Sequence, residues 1–349
     1  MRYILFLIGN GFDLNLGLKT KFSDVVKKYL EIHEDSDDHN IIAFKKELNN
    51  NYRNWSDFEK AMGEYAKIFT TINKEDFTFQ IDSFRDVLKR MFSDEETRID
   101  YIGNKEQIFS VFGNCVPRFY EYLSESSKQM MASVISPSNK NSSFQYDFIT
   151  FNYTNVLDNC INLIKSNKIN LRKFTNQMAQ QTVSDAFGEV LHIHGTLQKD
   201  LILGVDNVTQ IMNQDFQKDV KMHWMIKPYV NKELGDYNDT RAKQLINKSD
   251  IICIFGMSIG ETDKSWWNCI FKWLTSDISH NLVLFYYDKE IDETNPRTKI
   301  DCRKDIKNIF FSMVDNIQSN SNTQCENRIH IPLNDTDMFK IDLLFKDKR

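Results

Sequence analysis

The stretch YILFLIGNGFDLNLGLKTKF, Tyr3 to Phe22, joins an apolar run to a polar loop that contains glycines. Its first part, Tyr3 to Ile8, is continuously apolar, which predicts a strand buried on both faces of a parallel sheet. Gly9 and Gly11 follow at once, and glycine permits turns and close approaches that a Cβ forbids. Ligands of open α/β sheets lie beyond the carboxyl ends of the strands, where amide groups at a helix N-terminus attract phosphate. A nucleotide is therefore our first expectation for this turn.

This turn differs from the common dinucleotide fingerprint G-x-G-x-x-G. Leu14 stands where the third glycine would be, and the next glycine is Gly17. A strand that ends in a tight turn and binds nothing stays open as the alternative interpretation.

Composition limits the class of protein. The chain of 349 residues is long enough for one large domain or two ordinary ones, and 41% hydrophobic with 27% charged residues indicates a globular protein. A net charge of −5 and a pI near 5.9 argue against a protein that mainly coats nucleic acid. No apolar run approaches the roughly 20 residues that span a bilayer, so we expect no membrane contact. The residues before Gly9 lack a signal-peptide cleavage site and are interpreted as the first strand of a soluble protein.

The six cysteines are scattered and include no C-x-x-C pair. They predict neither a zinc site nor a disulfide framework, and they favour a cytoplasmic location.

The region from Ser23 to about Met131 has helical apolar spacing. Ser56 and Glu59 have the spacing of a capping box at the start of one helix. Thr78 to Phe92 predicts another helix, and Glu31 to His39 a charged loop. The residues expected to face inward on the helix from Thr78 are Phe79, Phe84, Val87, Leu88 and Met91.

Strand patterns return after Ser143, at Tyr146–Phe151, Val190–His194, Leu201–Leu203, Ile251–Phe255, Asn281–Tyr287 and Arg328–Leu333. Between them, Thr182 to Gly188 is polar and predicts a loop, and Asp239 to Asn247 predicts a helix. Alternating strands and helices predict an α/β fold with a doubly wound, Rossmann-like parallel sheet and a large, mostly α-helical insertion after the first strand. We expect a core of residues 1–22 and 144–335, an insertion of residues 23–132, a linker of residues 133–143 and a tail of residues 336–349.

Several strands end in similar polar or glycine-containing turns: Gly9-Asn10-Gly11, Phe151-Asn152-Tyr153, His194-Gly195-Thr196 and Gly256-Met257-Ser258. Parallel strands share one carboxyl edge, so these four turns should line one crevice.

Asn152 and His194 are the candidate catalytic residues. The Asn152 amide suits a ribose hydroxyl or a water, with an Asx turn as the alternative, and the ordinary pKa of histidine suits His194 to act as a general base. Alternation along the strand puts His192 on the same face as His194, but without a third ligand a metal pair is less favoured than a buried, hydrogen-bonded His192.

Further polar residues fall near the same edge. Ser258 offers a hydroxyl and an N–H group, and Asp263 is expected to cap the helix that carries Trp266 and Trp267, which we interpret as packing residues. Asp206 and Asn207 suit either this edge or a turn. A carboxylate at Asp13 would repel a pyrophosphate, so Asp13 should accept from ribose hydroxyls, bind a metal or face away.

Six pieces of the chain occur in the order of a known family: GNGFDLNLGLKTKF, WSDFE, FNYTNVLD, HIHGT, ILGVDN and FGMSIGETDKSWW. With them the chain resembles the AbiH family of bacterial phage abortive-infection proteins. The same pieces are similar to a divergent sirtuin-type NAD-binding fold. Its catalytic Asn would fall on Asn152, its catalytic His on His194 and its G-x-S loop on Gly256 and Ser258. The residues that this resemblance and the strand ends place around a cofactor are Gly9, Asn10, Gly11, Phe12, Asp13, Gly17, Gly256, Ser258 and Asp263.

The resemblance implies cleavage of the nicotinamide–ribose bond of NAD, with NAD as substrate, no metal, and activation during phage infection. Asp13 replaces a hydroxyl residue of the sirtuin-type pattern and Thr154 replaces an acidic one. The paired C-x-x-C module of sirtuin deacylases is absent, so deacylation is not expected. A phage-derived trigger and a homo-oligomer are compatible with this activity, and nucleic acid is not an expected partner.

Two alternative hypotheses remain open. The first is a nucleotide-binding sensor that acts through a partner without turnover. The second is a metal-dependent nuclease that uses Asp13, His192 and His194.

Overall fold

The computed structural model describes residues 1–135, 143–169, 171, 173–176, 181–235, 237–292, 294–315, 325–335 and 337–345. Within these residues a six-stranded, all-parallel sheet carries helices on both faces, so the predicted Rossmann-like α/β fold class is confirmed. None of the described helices is long and apolar enough to cross a lipid bilayer. Most of the predicted linker, residues 136–142, lies outside the described residues.

The strands of the large sheet run in the order β5-β2-β1-β6-β7-β8, and every neighbouring pair is parallel. A separate antiparallel hairpin is formed by β3 and β4. The bounds are β1 (Arg2–Ile8), β2 (Phe144–Thr150), β3 (Lys173–Asn176), β4 (Gln181–Ser184), β5 (Ala186–His192), β6 (Ile251–Phe255), β7 (Asn281–Phe285) and β8 (Ile329–His330).

The described helices are α1 (Gly11–Asn15), α2 (Phe22–Ile32), α3 (His39–Asn50), α4 (Phe58–Tyr65), α5 (Lys74–Arg98), α6 (Lys105–Cys115), α7 (Glu125–Ile135), α8 (Val156–Ser166), α9 (Gln214–Lys218), α10 (Lys227–Leu234), α11 (Asn238–Lys248), α12 (Lys264–Ser276) and α13 (Pro296–Ser312).

The first strand lies in the interior of the sheet and is buried on both faces. Ile4, Phe6 and Ile8 point to one core, which α6 and α8 help to cover. Leu5 and Leu7 point to the other core, formed with α11, α12 and α13. Successive side chains of a strand point to opposite faces, so burial on both sides explains why β1 is apolar throughout.

The predicted insertion, residues 23–132, contributes to two different cores. Helices α2 to α5 form an aromatic core of their own. Residues 197–226 add buried side chains to it, among them Leu197 and Met225, and Tyr153 also belongs to it. Residues from Ile99 to Met131, including α6, pack instead on the sheet. The last third of the predicted insertion is therefore part of a layer that covers the sheet.

The described part of the predicted tail packs into the interior. Met338 and Phe339 are fully buried. The Phe339 ring contacts Phe6, Phe12 and Phe255, with centroids 5.2–6.1 Å apart. These contacts stabilise the face of the sheet under α1.

Two predictions for the second half of the chain are wrong. Thr182 to Gly188 is not a loop, because it contributes to β4 and β5, and β5 tolerates polar residues as an edge strand of the sheet. Leu201–Leu203 is not a strand; Leu203 is buried in the core of the insertion without a strand partner. The other predicted strands are present. Ile251–Phe255 has the predicted bounds, and the rest have shifted ends; β5, for example, ends at His192 rather than His194.

Two predictions for the helical region also fail. The residue that caps α4 is Asp57, whose side chain accepts from the Lys60 N–H, so the capping box of Ser56 and Glu59 is wrong. Phe79 is 45% exposed because the buried face of α5 follows Phe77, Ile81 and Phe84.

Candidate functional site

A cleft of about 370 Å³ opens at the carboxyl edge of the sheet, where β1 lies between β2 and β6. The chain runs outward from β1 through β2 on one side and through β6 on the other, so the cleft lies at the topological switch point, the usual ligand site of such sheets. The structure brings all four strand-end turns to this cleft. Eight of the eleven candidate catalytic and cofactor-binding residues line it: Gly9, Asn10, Asp13, Asn152, His194, Gly256, Ser258 and Asp263.

The remaining three, Gly11, Phe12 and Gly17, are not lining residues of the cleft. Phe12 is fully buried in the core, where its ring contacts Phe112 and Phe339. Gly17 has a φ of +79° after α1, and a Cβ added there would meet open space.

The glycines of the first turn allow two loops to pack against each other. The Gly11 N–H donates to the Gly256 carbonyl oxygen at 2.8 Å, and a Cβ on Gly11 would lie 2.4 Å from the Gly256 Cα. Gly256 itself has a φ of +71°. The amide of Phe12 donates to the Gly9 carbonyl oxygen. Two of the N–H groups that we expected to be available for a phosphate are therefore already used within the protein.

Asp13 forms a buried hydrogen-bonded cluster with Asn152 and Thr154. Its carboxyl group accepts from Asn152 Nδ2 at 3.1 Å and from Thr154 Oγ1 at 2.7 Å. Burial raises the pKa of Asp13 to about 7, although both hydrogen bonds oppose this shift. A carboxyl group that titrates near neutral pH in a cleft is a recognised indication of a functional site.

Asn152 is held firmly and yet keeps one unused acceptor. Its backbone N–H donates to Thr150 Oγ1 at 3.1 Å, and its carbonyl oxygen lies 3.0 Å from His192 Nδ1. The residue is only 6% exposed, and its Oδ1 has no hydrogen-bond partner among the described residues. A buried, unpaired acceptor is unfavourable, which suits a group that binds a ligand.

His192 has a structural role. Besides the contact with Asn152, its Nε2 lies 2.8 Å from Asp158 Oδ2 on α8. Asp13 and His192, two residues of the nuclease hypothesis, share Asn152 as a partner: Asp13 contacts its side-chain amide and His192 its backbone carbonyl oxygen. Within the described residues, no group of three or more His, Cys, Asp or Glu could hold a metal ion.

His194 lies in an aromatic wall of the cleft. It is 4% exposed and its ring centroid is 5.5 Å from that of Phe151 and 6.4 Å from that of Tyr153. Burial, with a smaller effect from the Lys227 cation, holds the pKa of His194 well below its ordinary value. The imidazole is therefore neutral at pH 7 and able to accept a proton, but it is a weaker base than the sequence alone predicts.

A buried ionic cluster joins the insertion to this edge of the sheet. Lys227 Nζ on α10 lies 2.7 Å from Glu59 Oε2 on α4 and 3.4 Å from Asp263 Oδ1. Burial of Lys227 would lower its pKa, but the two carboxylates outweigh it and raise the pKa above the ordinary value, so the ammonium stays charged.

This cluster corrects the prediction that Asp263 caps α12. Asp263 precedes that helix without a side-chain capping bond, and Asp206 instead accepts from the Ser265 N–H at 2.9 Å. Asn207 caps the short turn that follows it. Trp267 is fully buried, as the packing interpretation predicts, and donates to the Gly260 carbonyl oxygen.

The insertion supplies part of the cleft wall, which the sequence reasoning missed. Its contribution consists of Ser23, Asp57, Glu59 and Phe92. Asp57 and Glu59 belong to the WSDFE piece. The helical spacing of that piece predicts only a packed helix, so there was no reason from the sequence to place these two residues at the site.

One family model matches most of the chain. The family model described as Bacteriophage abortive infection AbiH matches residues 5–287, a segment that includes all four turns of the cleft. No curated protein matches the chain.

Proposed function

Because the chain belongs to the AbiH family, which supports a role in bacteriophage abortive infection, we propose that it acts by hydrolysing NAD at the nicotinamide–ribose bond. The observation that carries the proposal is that Asn152, His194 and the turns at Gly9 and Gly256 line one cleft at the switch point of the sheet. Its volume of about 370 Å³ falls within the usual range for small-molecule sites, roughly 300–1,000 Å³.

The residues that depart from the sirtuin-type pattern give further support. Asp13 stands at a hydroxyl position of that pattern and Thr154 at an acidic position, and these two side chains hydrogen-bond each other at 2.7 Å. This chain therefore has one carboxyl group and one hydroxyl group at these two positions, in contact with each other.

In the proposed reaction the C–N bond to nicotinamide breaks and a water oxygen bonds to the ribose carbon. The departing ring takes the electron pair of the broken bond and leaves as neutral nicotinamide. The water gives up one proton, which the neutral His194 imidazole accepts and passes to solvent. Positive charge that develops on the ribose is stabilised by the ionised Asp13 carboxylate within the cleft. Asn152 holds the ribose or the water in place.

The proposal is tested by incubating purified protein with NAD and measuring free nicotinamide by chromatography, with and without extract of phage-infected cells. Removal of a group that positions a reactant or takes up its proton lowers reaction rates by about 100-fold or more. Asn152→Ala and His194→Ala should therefore each release almost no nicotinamide. The matched controls are Asn50→Ala and His39→Ala, because both residues are exposed on α3 and neither lines the cleft. Absence of release under every condition, or equal release by all four variants, would contradict NAD hydrolysis.

A nucleotide sensor without turnover is the second candidate. One observation favours it: neither ring nitrogen of His194 has a hydrogen-bond partner among the described residues, whereas a catalytic base is usually oriented by a third group. Recovery of intact NAD from a tight complex after long incubation would support the sensor and exclude the hydrolase.

A further inference from the structure

We infer that Asp13 is a positioning residue that orients the Asn152 side chain, so that Asn152 Oδ1 faces the cleft as an acceptor for a hydroxyl or water of the ligand. The inference deepens the proposed function and rests on it for the identity of the ligand. It gives Asp13 a second role beside the electrostatic one proposed above, since the same carboxylate fixes the orientation of the Asn152 amide.

The orientation follows from which atoms can donate. An ionised carboxylate only accepts hydrogen bonds, so of the two ends of the Asn152 amide only Nδ2 can pair with Asp13. This contact is 3.1 Å long, and Thr154 Oγ1 occupies the other carboxylate oxygen at 2.7 Å. Asp13 is 1% exposed, so the protein provides both partners of its carboxylate. Rotation of the amide by half a turn would place two acceptors against each other.

The fixed orientation decides what the cleft can recognise. With Nδ2 used, Oδ1 is the free atom of the amide, and it has no partner within the described part of the chain. The backbone of Asn152 cannot shift easily, because Thr150 and His192 hold its N–H and carbonyl groups. The complementary ligand group is a donor, which a ribose hydroxyl or a water provides and a phosphate dianion does not.

Protonation of Asp13 removes this constraint, because a neutral carboxyl group can donate as well as accept. The titratable groups around Asp13 are Glu96 on α5, His192 on β5, Tyr101 before α6 and Cys160 on α8. Burial affects the pKa of Asp13 more than these groups do, and it raises that pKa to about 7. Asp13 should therefore hold the Asn152 amide in one orientation at pH 8, and this constraint should be lost as the pH falls below about 6.

The direct test is nuclear magnetic resonance of protein labelled with ¹⁵N at asparagine, with the Asn152 side-chain signal assigned from its loss in Asn152→Ala. In the wild type this signal should shift with a midpoint near pH 7. In Asp13→Asn the chemical shift of the Asn152 signal should not change with pH in this range. Two facing amides can pair in either orientation at every pH. Asp37→Asn, a change in an exposed loop, is the matched control and should behave as the wild type does.

Thr154→Val provides a second measurement that does not depend on the folding of Asp13→Asn. It removes the hydrogen bond that lowers the pKa of Asp13, so the midpoint of the Asn152 signal should move to higher pH. A signal that does not titrate in the wild type, or that titrates alike in all variants, would overturn the inference.

Activity separates this inference from the proposed function. For a hydrolase, kcat of the wild type should rise through pH 7, whereas Asp13→Asn should lose about tenfold or more in kcat at pH 8 and show no such rise. If the wild type releases no nicotinamide, the proposed function fails, while the Asn152 titration still decides the role of Asp13.

Discussion

Asp13 is a carboxyl group in a position where ionisation is unfavourable. Burial raises its pKa from 3.8 to about 7, so the folded protein holds the proton more tightly than the unfolded chain does. Stability contributed by the neutral form is fully present below about pH 4 and is lost as the pH rises to about 7. Loss of stability at a functional group is a common compromise at active sites.

Replacement of Asp13 by asparagine should remove this dependence of stability on pH. Asp13→Asn remains neutral at all pH values, so its free energy of unfolding should rise relative to that of the wild type between pH 4 and pH 8. At about 1.4 kcal/mol for each pKa unit, the relative gain is on the order of a few kcal/mol. Urea unfolding at several pH values measures it, with Asp37→Asn as control. A constant difference between Asp13→Asn and the wild type across this pH range would show that Asp13 does not titrate as described.

At the scale of elements, the site depends on the contact between the loop after β1 and the loop after β6. Gly256 is central to it, because a Cβ there would lie 2.6 Å from the Phe12 nitrogen and 2.7 Å from the Gly11 Cα. Its φ of +71° also disfavours any residue with a side chain. Both loops contribute to the cleft wall, so their spacing affects its shape.

We therefore expect Gly256→Ala to destabilise the protein by about 1–3 kcal/mol and to weaken nucleotide binding by separating the loops. Gly113→Ala is the matched control. Gly113 lies in α6 with no atom within 4 Å of an added Cβ, so alanine there should stabilise the protein by about 0.5–1 kcal/mol. Thermal unfolding and calorimetric titration with NAD measure the two effects. If Gly256→Ala and Gly113→Ala had the same thermal stability and the same affinity for NAD, the contact between the two loops would not be tight.

At the scale of the whole molecule, the insertion and the sheet are joined by the ion pairs of Lys227. Glu59 comes from α4 of the insertion, Lys227 from α10, and Asp263 from the segment after β6. Lys227 is 3% exposed, so loss of its ammonium leaves two carboxylates close together without their cation.

Lys227→Met should accordingly destabilise the protein by about 3–5 kcal/mol and make α2 to α5 more susceptible to limited proteolysis. Lys232→Met changes an exposed lysine of the same helix and should have little effect. Adding Glu59→Gln to Lys227→Met should recover part of the loss, because one uncompensated charge is removed. Unfolding curves that superimpose for Lys227→Met and Lys232→Met would contradict this coupling.

Features that depend on local pattern were predictable from the sequence. The apolar run before Gly9 and the run Ile251–Phe255 predicted buried parallel strands, and both are present. Glycine and polar residues at the strand ends predicted one shared crevice, because all parallel strands place their carboxyl ends at the same edge. Family pieces in a fixed order predicted AbiH membership, which the match over residues 5–287 confirms.

The contacts between distant side chains became known from the folded chain alone. The partners of Asp13 lie 139 and 141 residues away in the chain, and Lys227 lies 168 residues from Glu59. No local period carries such information, because the pairing depends on how α1, α4 and α10 are placed around the sheet. For the same reason the burial of Phe339 and the free acceptor of Asn152 were not predictable, since both depend on neighbours that are distant along the chain.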